Sequence, residues 1–547
     1  MTIETDVDVV VLGTGASGLV AALAAAEHGA SVALLEKGSQ VGGTSAISGG
    51  TCWVPNNRHM AEAGIADSRD DAIAYLASLS HGMIDPVMAE VLVDDGPKVI
   101  DWIEANTPVR FQVVRGFPDY HPEHPGGRPG GGRSLDPGLF SFEALGPWAD
   151  RVARPARSPY LTLVETPLGG GDGIIDNATI AERRAHDVRG CGQALIGGLL
   201  AACLERGIEP QLNAAARQLV LDDGRVTGVR VTGGDGERTL AARRGVVLAT
   251  GGFEWNDELV RAFLRGPMTS PASVPTNTGD GLRMAMEVGA ALGNMREAWW
   301  VPTLKIPGDE LFGRQRAHLV LRERTLPRSI MVNRTGRRFT NEAANYNALG
   351  GAFHQFDPGR FEYANLPCWL VFDHEHLRRY GFAGAPAGDV APSWLTSAPT
   401  LDELARRVGI APEGLVAAVA RWNAHVADGH DPDFGRGDSA YDGWSGDQQH
   451  LPGRAATLGP LTEAPYYAIE VHSGALGTKG GPRTTVDAQV LHADGHVIDG
   501  LYAVGNAMAG VTGMVYGGAG GTLGPAITFG HRAGRHAAQA ARRARTS

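Results

Sequence analysis

The 547-residue chain is poor in cysteine, with only Cys52, Cys191, Cys203 and Cys368. None is spaced as CxxC, so neither a thiolate metal cluster nor a disulfide framework is implied. The four read as buried free thiols of a reducing cytoplasm. No run of about 18 apolar residues is present to span a bilayer. The N-terminus lacks a cationic segment, and the apolar run Val7–Gly13 is too short for a secretory leader. Positive charge is also in deficit, with 49 Lys and Arg against 60 Asp and Glu and a formal charge of -11. That balance argues against a nucleic-acid partner. The one basic patch is the tail (Arg532, Arg535, Arg542, Arg543, Arg545), read as a solvated helix end because cations suit a helix C-terminus. A globular, cytoplasmic protein is expected, without internal repeats.

What the chain does have is glycine, 76 residues of it, clustered after apolar runs where backbone must turn or approach a ligand. The β-branched segment Val7–Leu12 reads as a buried parallel strand. Gly13-Thr14-Gly15-Ala16-Ser17-Gly18 turns, Leu19–His28 is an alanine-rich helix closed by Gly29, and Ser31–Glu36 is a second strand. This GxGxxG lies between strand and helix, with an acid ending the next strand, which makes it a dinucleotide site. Gly13 makes the turn, Gly15 admits the pyrophosphate, and Gly18 lets the helix pack on the strand. The helix N-terminus faces the phosphates. Glu36 accepts from ribose hydroxyls and repels a 2'-phosphate.

At this length more than one structural unit is expected. Further strands are predicted at 218–221, 228–231 and 245–248, the last running into Ala249-Thr250-Gly251-Gly252. Residues 118–173 read as long loops and short turns. Residues 301–469, with helices at 400–408 and 413–428, read as an inserted domain between 1–300 and 470–547. A C-terminal helix is predicted from Gly524 to Arg543.

Gly42-Gly43-Thr44-Ser45 resembles the second, flavin-side loop of two-dinucleotide-fold flavoproteins. Thr250-Gly251-Gly252 and Gly500-Leu501-Tyr502-Ala503-Val504-Gly505-Asn506 extend the likeness. Together they resemble the superfamily of fumarate reductases and ketosteroid dehydrogenases over nearly the whole chain. The resemblance implies an α/β fold: a two-dinucleotide-fold FAD-binding domain with an inserted mixed α+β catalytic domain. The implied cofactor set is Gly13, Gly15, Ala16, Ser17, Gly18, Glu36, Lys37, Gly43, Thr44, Ser45, Gly49, Gly50, Thr250, Gly251, Gly252, Gly505, Asn506 and Leu523. Residues 42–52 hold no histidine for a covalent link, so the FAD is expected to be non-covalent.

Within the superfamily, Thr478-Lys479-Gly480-Gly481 lacks the preceding histidine of fumarate reductases. The nearest is His472, and Lys479 reads as surface charge. Gly42–Gly50 with Trp53-Val54-Pro55-Asn56-Asn57, Arg337–Tyr346 and Tyr516–Pro525 instead resemble 3-ketosteroid Δ1-dehydrogenases and relatives that desaturate cyclic ketones. That resemblance places two carbonyl donors on Tyr516 and the Gly520 N–H, and the proton-abstracting phenol on Tyr346. An assisting tyrosine falls on Tyr120, with Tyr160 as the alternative. Two donors on a ketone oxygen would stabilise enolate charge, and a phenol base would need its pKa, about 10 when free, to fall. The implied substrate is a cyclic ketone, a 3-ketosteroid first and a cyclohexanone second, with an enoate or fumarate-type reduction as a further alternative. The electron acceptor is unidentified. Segment 148–189 looks like an insertion that covers the pocket or meets a membrane. His121, Glu123 and His124 are too local and proline-locked for a metal site, and no metal is expected.

Overall fold

The structure, a computed structural model, describes residues 3–234 and 236–541. Arg542, Arg543 and Arg545 therefore lie outside the described residues. Val9, Val10 and Val11 are wholly buried in strand Ile3–Leu12, because both faces of this strand are covered. It pairs in parallel with Val32–Leu35 on one side and Gly236–Leu248 on the other. Val497–Ala503 continues the parallel order, and Gln489–Leu491 closes that edge antiparallel. Ala215–Asp222 and Arg225–Gly233 extend the first half of Gly236–Leu248 as an antiparallel meander.

Helices Ala16–Glu27 and Leu523–Gln539 pack closely against each other. A Cβ at Gly534 would lie 2.1 Å from the Ala21 carbonyl oxygen, so that crossing requires glycine. Both helices begin beside the C-terminal ends of the parallel strands, where ligands bind in open α/β sheets.

A second sheet is organised on the long strand Tyr466–Thr478. Ala298–Leu304 and Cys368–Asp373 flank it antiparallel, and Ser329–Asn333 follows Cys368–Asp373. Ser270–Pro271 and Thr396–Ala398 add further pairings to the same strand. Helices Leu401–Val408 and Pro412–Ala427 cover it around the buried Trp422. Membership of this sheet thus reaches before residue 301 and beyond 469.

Two readings require correction here. The stretch 118–173 contains a fully buried strand, Gly131–Asp136, paired with Cys52–Trp53 and Gln112–Arg115. It has no apolar alternation because its burial is ionic: Arg133 bonds Asp119 and Asp67, each at 2.8 Å. In the tail, Arg535 is exposed as expected, but Arg532 is largely buried and paired. It donates to Asp487 at 2.8 Å and to the Val486 carbonyl at 2.6 Å, and it also engages Asp95. All four cysteines are buried and free. Among the described residues no helix is long and apolar enough to cross a membrane.

Candidate active site

Where the parallel strands end, their turns surround a cleft of about 900 Å³. Gly13, Gly15, Ser17, Glu36 and Lys37 form one wall, and Gly43, Thr44 and Ser45 stand across from them. Thr250 and Gly251 follow from the third strand, and Gly505, Asn506 and Leu523 from the C-terminal segment. Gly13 has φ +110°, and a Cβ there would sit 2.3 Å from the Ala249 carbonyl oxygen. At Gly15 the nearest atom to an added Cβ is Ser45 Oγ at 3.6 Å, so that wall is left open. Helix Ala16–Glu27 starts there with no side-chain cap and no acid in its first turn, as an anion site requires. Glu36 is buried and held by Thr14 Oγ1 at 2.6 Å and Gly38 N–H at 2.8 Å. The Thr14 N–H also donates to it at 3.2 Å, and since a carboxylate has about four acceptor positions, one is left for a ribose hydroxyl. The Thr250 hydroxyl is buried and has no partner among the described residues. An open glycine wall, an uncapped helix, an anchored acid and an orphaned hydroxyl fit the adenine-dinucleotide part of FAD.

Five of the expected cofactor residues are not on this wall: Gly49 and Gly50 lie in the adjoining cavity, and Ala16, Gly18 and Gly252 are engaged elsewhere. Ala16 directs its N–H to Ser45 Oγ at 3.2 Å. Gly18 lets the helix close on the strand, since a Cβ would lie 2.0 Å from the Gly13 carbonyl. Gly252 faces Thr478 and Glu254 instead of the cleft. Lys37 is on the wall but donates to Thr278 and Asp280, each at 2.6 Å.

The cleft opens into a second cavity of about 1200 Å³, and Thr44, Ser45, Asn506, Thr522 and Leu523 line both. Gly49, Gly50 and the four residues proposed for chemistry all border the second cavity: Tyr120, Tyr346, Tyr516 and Gly520. The Tyr120 and Tyr346 hydroxyls share a hydrogen bond of 2.8 Å. Tyr516 packs against both rings, with centroids 5.0 and 5.5 Å away. Its hydroxyl accepts from Thr522 Oγ1 at 3.2 Å. Gly520 has φ +96°, its carbonyl accepts from Trp53, and its N–H meets no acceptor among the described residues. Gly520, with its unpaired N–H, and two linked phenols thus line one largely apolar space.

Each tyrosine is held from behind. The Tyr120 N–H donates to the Gly517 carbonyl at 2.9 Å, and Asp119 takes the Trp53 indole N–H at 2.8 Å. Burial pushes the Asp119 carboxyl up to about 6, against the pull of Arg133. Tyr346 follows Glu342, a buried acid bonded by Arg338 at 2.7 Å and by Arg436 at 3.2 Å. The Asn-Glu motif is therefore an anchor for the tyrosine loop. Asn345 reaches over to His121 Nε2 at 3.0 Å, which ties the two tyrosine loops together.

The expected fall in the Tyr346 pKa is not found. Burial, with Tyr120 and Tyr516 beside it, raises Tyr346 well above an ordinary phenol. Tyr120 is raised by burial too, although Arg324 pulls it the other way. At Tyr120 desolvation outweighs the neighbours that lower it, at Tyr346 the neighbours add to it, and both phenols are neutral at ordinary pH.

Several residues at the site carried no sequence signal. Tyr441 lines the cavity with its ring 5.0 Å from Tyr120, yet it belongs to no motif. Arg324 is fully buried, donates to the Ala344 carbonyl at 2.8 Å and the Glu342 carbonyl, and leaves Nη2 without a partner. Lys479, read as surface charge, is 1% exposed, because the loop before Tyr516 folds over it. Tyr160 and His472 do not line the cavity. His121, Glu123 and His124 do bring donor atoms within 4.8 Å of one another. The turn folds them together despite its prolines, but His124 Nδ1 lies 3.3 Å from Ser78 and His121 Nε2 on Asn345.

The FAD binding domain family matches residues 8–523. The chain is 42% identical over 535 residues to a 4-oxocyclohexanecarboxylate 2-dehydrogenase of Sinomonas cyclohexanicum, covering 96% of this chain and 92% of that one. It is 39% identical over 576 residues to a 3-oxosteroid 1-dehydrogenase of Mycobacterium tuberculosis, covering 99% and 100%. Among solved structures, it aligns with a 3-ketosteroid delta1-dehydrogenase from Sterolibacterium denitrificans in complex with 1,4-androstadiene-3,17-dione. The TM-score is 0.89 at 35% identity, over 98% of this chain and all of that one.

Proposed function

The chain belongs to the FAD-binding flavoprotein family, and from that premise we propose that it desaturates a 3-ketosteroid at C1–C2. It is an FAD-dependent oxidoreductase that introduces a C=C bond next to a ketone. The observation that carries the substrate reading is the cavity itself, large, walled by Leu163, Leu168, Leu319 and Leu321, and carrying phenols at one place. An apolar enclosure with a few convergent polar groups suits a large, rigid ketone.

The Tyr516 hydroxyl and the Gly520 N–H grip the ketone oxygen and stabilise the charge that grows there as the α-proton leaves. Tyr346 takes that proton in its phenolate form and so becomes the neutral phenol, with the Tyr120 hydroxyl donating the hydrogen bond that steadies the phenolate beforehand. FAD, when bound, supplies the acceptor for the β-hydrogen as hydride. The two C–H bonds broken leave their electron pairs as the new C=C bond and the departing hydride. Thr44, Ser45, Asn506 and Leu523, shared by cleft and cavity, would hold FAD at their junction. Its attachment is non-covalent in this reading, supported by a cleft wall without histidine or cysteine.

A smaller substrate is the second reading, because among the described residues Arg157 is the single cation on the cavity wall. One guanidinium suits a monocarboxylated cyclohexanone. A dicarboxylate would leave one charge unmatched, which disfavours a fumarate-type reaction. Anaerobic mixing of the FAD-loaded enzyme with each ketone decides. A 3-ketosteroid is expected to bleach the flavin absorbance and to gain a C1–C2 double bond. Bleaching by 4-oxocyclohexanecarboxylate alone would select the second reading, and no bleaching by any cyclic ketone would end both.

A further inference from the structure

Lys479 is a buried amine without a carboxylate partner. Its Nζ donates to the Val515 carbonyl at 2.7 Å and stands 3.9 Å from the centre of the Trp299 ring. No acid lies within ion-pair distance of it among the described residues. Glu297, whose charge acts on it, is engaged by Arg265 at 3.1 Å. Burial pulls the amine well below the ordinary lysine range. Placing a cation there without a counter-charge is costly, so a negative charge supplied by something bound would favour the protonated amine.

The surrounding geometry says where that charge would stand. Lys479 borders a small cavity of about 330 Å³ together with Gly505, Asn506, Thr522 and Ala526. Those four residues also line the dinucleotide cleft. Trp299, which carries the amine on its face, donates from its indole to Asn506 Oδ1 at 2.9 Å. A two-electron reduction adds negative charge to a flavin, and a charge held near its ring tunes that step.

We propose that Lys479 sets the reduction potential of the bound FAD, favouring its reduced form from behind Asn506 and Trp299. The inference rests on the cofactor part of the reading above and is independent of the ketone. K479M removes the charge and keeps an unbranched chain on Trp299. K479Q also keeps a donor for the Val515 carbonyl, and K479R keeps the charge. The potential is read by reduction against a reference dye, and the dissociation constant of the flavin–sulfite adduct by absorbance. In the neutral variants sulfite is expected to bind at least about tenfold more weakly. The potential should fall by about 30 mV, the tenfold equivalent for a two-electron couple. K479R should stay near the parent. The proposal is overturned if either neutral variant, with FAD bound, keeps the parent potential and sulfite affinity. It is equally overturned if the parent's own FAD forms no adduct at millimolar sulfite. Neither readout involves a ketone, so failure here leaves the desaturation reading standing, and the reverse also holds.

Discussion

The dinucleotide cleft and the tyrosine cavity share five wall residues, but they are made from different material. The cleft is largely backbone: Gly13, Gly15, Gly43, Gly251 and Gly505 turn the chain at strand or helix ends, with Glu36 as its anchored acid. The cavity is made of side chains from four separate segments, Tyr120, Tyr346, Tyr441 and Tyr516, none of them on a strand of either large sheet. Backbone sites fail by steric exclusion, and all at once. Side-chain sites fail by losing one chemical role while the fold stays intact.

That contrast breaks first at Gly13. In Gly13→Val the new Cβ would meet the Ala249 carbonyl at 2.3 Å with φ at +110°. Nearly all bound FAD is expected to be lost, read as flavin absorbance per protein. A variant that binds FAD stoichiometrically would show the turn to be dispensable.

Tyr346→Phe comes next, with turnover down by about 10²–10⁴ as a general base is removed. Because burial keeps this phenol protonated at neutral pH, the base form grows as pH rises. The parent rate should therefore climb toward alkaline pH, and the Phe variant should not. A profile that is identical in both would transfer the role to another group. Tyr516→Phe should cost about 10²–10³ in kcat, the effect of one oxyanion donor, while FAD occupancy is unchanged. Loss of FAD together with turnover would blur the distinction between the two regions.

The smallest effect tests the edge of the comparison. Arg324 lies outside the cavity wall, yet its charge favours ionisation of Tyr120 and Tyr441, against the larger opposing effect of burial. In Arg324→Met the alkaline limb of the rate should move to higher pH. Arg324→Lys, which keeps a cation, should move it less. A limb that stays in place would limit Arg324 to gripping the carbonyls of Glu342 and Ala344.

How much of this could be read in advance followed the same division. The strand, turn and helix from Val7 to Glu27 are local, because hydrophobic period and glycine spacing act over a few residues. The tyrosine assignments came by resemblance, and the structure gathers the favoured set around one space, including Tyr120 in place of Tyr160. Gly131–Asp136 was missed because an ionic strand has no apolar pattern. Lys479 and Arg324 were missed because burial of a charge depends on what folds over it. The upward pKa of Tyr346 was missed for the same reason, since desolvation is a property of the packed surroundings.

By itself the order of residues determined a βαβ nucleotide cradle and its acid, because those features depend on the backbone freedom of a few neighbours. Only tertiary structure decided which phenols touch and which cations lose their water, and that a tyrosine-lined cavity adjoins the cradle. Those outcomes arise where segments hundreds of residues apart exclude solvent together, and the energy of a charge or a hydroxyl is set by that exclusion.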